Sequence, residues 1–376
     1  MSAMTRVDST AGPHQPVRAN IQAEARLPAL DGVRAIAVLG VIASHAGIFG
    51  LGWIGVDIFF GLSGYLITGI LLDAKTVQPA ARDYFVPFYM RRALRIFPLA
   101  WSVALIMALV RDEWSELFWY IAYFVNWLPY TPEPTDLGHY WSLAVEEQFY
   151  LVWPALVFYL PRRTLLRVTL GVIAFDIACR FAFSMWPPSF ATDRFLGLAT
   201  FARADTLAVG ALLAQRERSV GLGRDLHWAW PAMLFAGLAV VAIRAMELRG
   251  APFLLTYNLK WPAIAFGVMA GLIIVLEQPP RWLQWRWLRW LGQISYGIYV
   301  LHSCFGHWLH SHFTSAPVVF VVQLALTVPL AALSWYFFES PILRQKWRWP
   351  MPSSRPASAH VATVPLPRVV PEADIL

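Results

Sequence analysis

LDGVRAIAVLGVIASHAGI, residues 30–48, is the first long apolar run of the chain, and it carries Arg34 and His45 within it. The run is long enough to cross a bilayer as a helix. Ionisable side chains at that depth are costly enough to mark a functional site by default. Arg34 and His45 are eleven positions apart, about 16 Å and three turns along a helix, so they line one face at two depths. A snorkelling arginine and a packing histidine are the plainer alternative for either residue alone. Two such groups on one face favour function.

The rest of the chain follows the same pattern. It is 58% hydrophobic, with 19 Trp and 24 Phe, and its mean hydropathy is +0.51. These values imply an all-α, polytopic membrane helix bundle and exclude an ordinary soluble domain. Apolar runs of spanning length occur at 29–48, 53–72, 94–110, 142–160, 167–185, 196–214, 228–245, 258–276, 290–311 and 317–338. Ten transmembrane helices are therefore expected. The aromatic stretch Leu117 to Tyr130 is read as a re-entrant or interfacial element, because counting it as a span would invert every later helix.

Loop charge supports this count. With both termini cytoplasmic, seventeen basic residues from Lys75 to Arg348 fall on the inner side, and only Arg111, Arg194 and Arg249 lie outside. That asymmetry follows the positive-inside rule. It also accounts for the net charge of +7 without nucleic acid. Residues 1–27 read as a disordered cytoplasmic N-terminus, 28–341 as the transmembrane domain, and 342–376 as a basic and then disordered cytoplasmic tail. The first span would itself direct insertion, and no inverted repeat of the transporter kind is visible. Cys179 and Cys304 both lie in apolar runs, which argues for packing over a disulfide or a Cys-based metal site.

Several further polar residues lie at membrane depth. Asp57, one turn into the second span, is placed either to orient His45 or to cap its own helix. Gly61, Ser63 and Gly64 permit close helix approach. Arg92 and Arg95 are three positions apart at the inner end of the third span, a spacing suited to gripping phosphates. Trp141, Ser142, Glu146 and Glu147 enter the fourth span from outside. One carboxylate is expected to face the bundle and the other the interface, or both to serve the helix dipole. Arg203 and Asp205 are expected mid-membrane in the sixth span, where a structural ion pair is the plain reading. In the ninth, Ser295, Tyr299 and His302 share a face. His307, His310 and His312 near its outer end lack a metal-ligand signature, and no metal is expected.

Taken together these residues resemble acyltransferase family 3, the integral membrane O-acyltransferases that decorate surface glycans, lipid-linked sugars and some secondary metabolites. The matching blocks are Leu30–Ala37 with His45, Phe59–Leu66, Arg92–Pro98, Trp141–Tyr150, Arg203–Asp205 with Gly210, Ser295–Tyr299 with His302, and Phe338–Pro341. They run in order from about residue 28 to 341. Ser340 stands where a basic residue is frequent, and no second soluble domain follows the tenth span. The chain is accordingly expected to act alone or with a separate periplasmic transfer partner.

The resemblance implies a bacterial inner-membrane enzyme that moves an acyl group, most simply acetyl, from cytoplasmic acyl-CoA to a hydroxyl. The acceptor would be a carbohydrate, a lipid-linked glycan or a small molecule. Acyl-CoA would be a substrate, with no permanently bound cofactor. Arg92 and Arg95 would hold the coenzyme A phosphates. His45 would be the general base, with Asp57, Glu146 or Glu147 setting its tautomer. Direct transfer is expected, with an acyl-histidine intermediate as the variant. Arg34 and Arg203 would polarise the thioester carbonyl or hold Asp205. Trp114, Trp119, Tyr120, Trp127 and Tyr130 are read as an interfacial belt in preference to a sugar platform. The competing functions are a transporter or flippase using the same buried charges, and a non-catalytic receptor of the same fold.

Overall fold

A computed structural model of the chain describes residues 28–351, apart from 79, 113, 128–135 and 186–196. The expectations for residues 1–27, for the tail beyond 351 and for Tyr130 lie outside the described residues. Within them every regular element is helical. The order is α1 Pro28–His45, α2 Ile54–Val77, α3 Ala81–Arg111, α4 Trp114–Ile121, α5 Tyr140–Tyr159, α6 Arg162–Ser184 and α7 Ala204–Val220. There follow α8 Leu226–Leu248, α9 Phe253–Glu277, α10 Arg286–Gln293, α11 Ser295–Leu301, α12 Gly306–His312, α13 Ala316–Ser334 and α14 Ser340–Arg344.

Six helical stretches are long and apolar enough to cross a membrane: Pro28–His45, Ile54–Val77, Ala81–Arg111, Gly223–Leu248, Phe253–Glu277 and Ala316–Arg348. The protein is an integral membrane helix bundle. Apolar side chains point outward along its helices, among them Leu105, Ile106 and Leu109 of α3, Leu234, Phe235 and Leu238 of α8, and Leu330 and Leu333 of α13. In water so much exposed apolar surface is a liability, whereas in lipid it is the expected exterior. The other four expected spans are shorter, less apolar or interrupted.

Two expectations change here. Arg203 does not lie inside a helix: it follows the 3-10 turn Thr200–Ala202 and immediately precedes α7, which puts Asp205 in the first turn of that helix. The expected ninth span, 290–311, is not one helix. It breaks at Ile294, passes into α11, tightens to a 3-10 turn over His302–Phe305 and resumes as α12. Backbone that leaves the helix at membrane depth needs new partners. Here the Gln323 side chain donates to the carbonyl of His302 at 3.0 Å. The region 117–130 contains the end of α4, only eight residues long, and the single turn Val125–Trp127.

Close approach of helices sets the centre of the bundle. A Cβ on Gly64 would lie 1.9 Å from the Leu207 carbonyl oxygen, and one on Gly210 would lie 2.1 Å from that of Gly61, so α2 and α7 touch backbone to backbone. A Cβ on Gly55 would meet the Ala37 carbonyl at 2.2 Å, and one on Gly292 would meet that of Asp31 at 1.9 Å. Helix α1 is thereby clasped between α2 and α10. It ends at His45 because Gly47 takes φ 79° and Ile48 N–H bonds back to the Ala43 carbonyl, a glycine-terminated C-cap. His45 consequently sits on the last turn, at the rim of the bundle.

Candidate active site

One cavity of about 350 Å³ opens beside the start of α1, the end of α10 and the arginines of α3. Arg34, Arg91, Arg92, Arg95, Arg218 and Lys346 all line it, and so does the carboxylate of Glu146. The structure thus brings together Arg34, Arg92 and Arg95, drawn from two distant blocks of sequence. Arg34 bonds Asp31 at 2.6 Å. Arg95 lies 3.6 Å from Glu339 and over the rings of Tyr296 and Trp335, each 5.3 Å away. Arg92 lies 5.6 Å from the Tyr150 ring. Glu339 is turned inward by a π-helical turn over Trp335–Glu339, where Ser334 donates to it at 3.1 Å.

Glu146 and Glu147 point differently, as adjacent helical residues must. Glu146 faces α2 and accepts from Ser63 at 2.8 Å and from Tyr150 at 3.2 Å. Glu147 does not line the cavity, and its Oε1 is buried without a hydrogen-bond partner among the described residues.

Beyond the cavity stands a cluster of rings. Phe59, which lines the cavity, meets Tyr299 edge-on with 6.1 Å between centroids. Tyr299 packs at 5.6 Å against His302, which stacks on His45 at 4.8 Å. His45 Nδ1 and His302 Nε2 are 2.9 Å apart, and His302 Nδ1 is 2.6 Å from the Tyr299 carbonyl oxygen. His302 is completely buried, whereas His45 is exposed. His139 closes the cluster, 4.7 Å from His302 and 5.2 Å from Tyr299. The Ser142 and Tyr299 hydroxyls lie 2.5 Å apart, and both reach the His139 carbonyl.

The remaining candidates form a separate polar group. Asp57 does not orient His45 and makes no side-chain cap for α2; it accepts from Arg203 at 3.0 Å. Both side chains are 98% shielded from solvent. Arg203 lies 3.9 Å from the centroid of Trp261 and 5.1 Å from that of Trp141. Asp205 is held not by Arg203 or Arg34 but by Arg180, at 2.6 Å, and its backbone N–H bonds Asp176 at 2.7 Å.

None of Asp57, Glu146 and Glu147 bonds His45 among the described residues; the partner of its ring is His302. The sequence reading did not single out Asp31, Arg180, His139 and Glu339. Asp31, one turn before Arg34 on the same helix, and Glu339, a carboxylate closing the last apolar run, had a visible signal. Arg180 and His139 depend on which helices meet.

The acyltransferase domain profile of family 3 matches residues 27–337. YrhL of Bacillus subtilis, provisionally named a peptidoglycan O-acetyltransferase, is 31% identical over 86% of this chain and 56% of its own length. The peptidoglycan O-acetyltransferase OatA of Listeria monocytogenes is 30% identical over 84% of this chain and 56% of its own. The O-acetyltransferase OatA of Staphylococcus aureus is 27% identical over 86% and 58%. The chain thus spans little more than half the length of these relatives. No solved structure matches.

Proposed function

Because the chain belongs to acyltransferase family 3, we infer that it is a membrane-embedded O-acyltransferase, moving an acetyl group from acetyl-CoA to a carbohydrate hydroxyl. The observation that carries this reading is the basic cavity, joined by the contacts of Phe59 and Tyr299 to the His45–His302 pair. Arg92 and Arg95, helped by Arg34, hold the phosphates of coenzyme A at the mouth through charge-assisted hydrogen bonds. The thioester arm enters toward Glu146. Phe59 and Tyr299 stand between the cavity and the His45–His302 pair.

At His45 the imidazole takes the proton of the acceptor hydroxyl as that oxygen attacks the thioester carbonyl carbon. The carbon–sulfur bond breaks and coenzyme A leaves as the thiolate. The imidazolium returns the proton to that sulfur, so the products are the O-acyl ester and the free thiol. The exposed rim position of His45 suits an acceptor arriving from the opposite side of the membrane to the donor. Ten spans with both termini cytoplasmic put the arginine mouth in the cytoplasm of a bacterial inner membrane, in keeping with the loop charges. A carbohydrate acceptor is favoured by the relatives, two of which carry peptidoglycan O-acetyltransferase in their names.

Purified protein in nanodiscs, supplied with labelled acetyl-CoA and a soluble glycan acceptor, tests the assignment. His45→Ala should reduce transfer to the background rate while leaving the thermal unfolding midpoint unchanged. Transfer at the wild-type rate would remove His45 from the chemistry.

A further inference from the structure

The geometry assigns His302 a positioning role: it fixes His45 in the tautomer whose outer nitrogen, Nε2, is bare and able to accept a proton. This rests on the proposed role of His45 as base and adds what sets its protonation.

Hydrogen bonds of fixed direction lead to it. The Tyr299 carbonyl oxygen, 2.6 Å from His302 Nδ1, can only accept, so His302 carries its proton on Nδ1. His302 is fully buried, and its ring contacts are His45, His139, Tyr299 and the Ser303 hydroxyl, with no carboxylate among the described residues. A second proton would place an uncompensated charge there, which is costly. His302 Nε2 therefore stays bare and accepts, from the Ser303 hydroxyl at 3.2 Å and from His45 Nδ1–H at 2.9 Å. With its single proton held on Nδ1, His45 presents Nε2 as a lone pair. A backbone carbonyl and a second histidine do here what a carboxylate does in other histidine bases. Packing holds the relay in place: Gln323 fixes the His302 carbonyl at 3.0 Å, and His139 and Tyr299 flank the ring.

Two variants separate positioning from packing. His302→Gln keeps an acceptor oxygen within reach of His45 Nδ1, whereas His302→Phe keeps the ring volume and the stack but offers no acceptor. For acetyl transfer by the full chain in nanodiscs, His302→Phe should lower kcat about 10- to 100-fold, the loss seen when the partner that orients a metal-bound histidine is removed. KM for acetyl-CoA should be unchanged, because His302 does not line the cavity, and His302→Gln should recover most of the loss. Nitrogen-15 NMR of histidine-labelled protein reads the tautomer without activity: wild-type His45 should be protonated at Nδ1 and bare at Nε2, and this preference should vanish in His302→Phe. Protonation of wild-type His45 at Nε2, or wild-type kcat in His302→Phe, overturns the role of His302 and leaves the proposed function standing. Full transfer by His45→Ala would instead remove His45 as the base, and the NMR reading would still decide the contact.

Discussion

At the scale of single residues, the charged side chains divide into those facing the cavity and those that hold the bundle together. Arg92 and Arg95 are of the first kind. Each should contribute a charge-assisted contact to the coenzyme A phosphates, worth about 1.5–3 kcal/mol. Arg92→Ala and Arg95→Ala are thus expected to weaken acetyl-CoA binding roughly 10- to 100-fold, measurable by titration of labelled donor, with little change in thermal midpoint for Arg92→Ala and a lowered midpoint for Arg95→Ala, which also strands the buried Glu339. Unaltered affinity in both would remove coenzyme A from this mouth. Asp57 and Arg203 are of the second kind, a buried pair flanked by Trp261 and Trp141. Arg203→Met strands the Asp57 charge and should cost about 3–5 kcal/mol of stability. Replacing both, as Arg203→Met with Asp57→Leu, should restore much of it. If the double variant loses as much as the two single losses combined, the residues act independently. Arg34 and His45 were recognisable in sequence because charge in an apolar run is rare, and Arg92 and Arg95 because their three-residue spacing puts them on one face at the start of a span. That Asp57 serves Arg203 and that His45 leans on His302 was not, since both contacts join residues more than 140 positions apart.

At the scale of elements, glycine decides where helices may touch. Gly64→Ala would thrust a methyl group into the Leu207 carbonyl and force α2 from α7. Overpacking of this kind costs about 1–3 kcal/mol, and a lowered unfolding midpoint in detergent should report it. Gly171, inside α6, has nothing within 4 Å of a built Cβ. Gly171→Ala should be neutral or should stabilise by up to about 1 kcal/mol; a loss equal to that of Gly64→Ala would show that the closeness of the helix crossing does not set the cost. Apolar runs locate most of these helices to within a turn at one end or the other. They fail at the ninth expected span, because a run such as Ser295–Leu301 stays apolar through its break. What ends the helix there is the ring of His302 on the Tyr299 carbonyl and the reach of Gln323 from α13.

At the scale of the whole molecule, the proposed topology assigns the cavity to one compartment and His45 to the other. In a background lacking Cys179 and Cys304, single cysteines at the exposed positions Gln278 and Ser315 test it. A membrane-impermeant maleimide should label Ser315→Cys in cells with a permeabilised outer envelope, and Gln278→Cys only after the inner membrane is opened. The reverse pattern would place the arginine mouth outside and defeat donation from cytoplasmic acyl-CoA. By itself the sequence determined the membrane class, the approximate span limits, the loop-charge bias and the residues costly enough to need a reason, because each rests on local composition and on the price of charge in lipid. Only the tertiary structure decided that Arg34 shares a cavity with Arg92 and Arg95, that Asp57 belongs to Arg203, and that the partner of His45 is a second histidine. Those pairings arise where distant helices meet, and the distance between two side chains across such a meeting is written in neither of the segments involved.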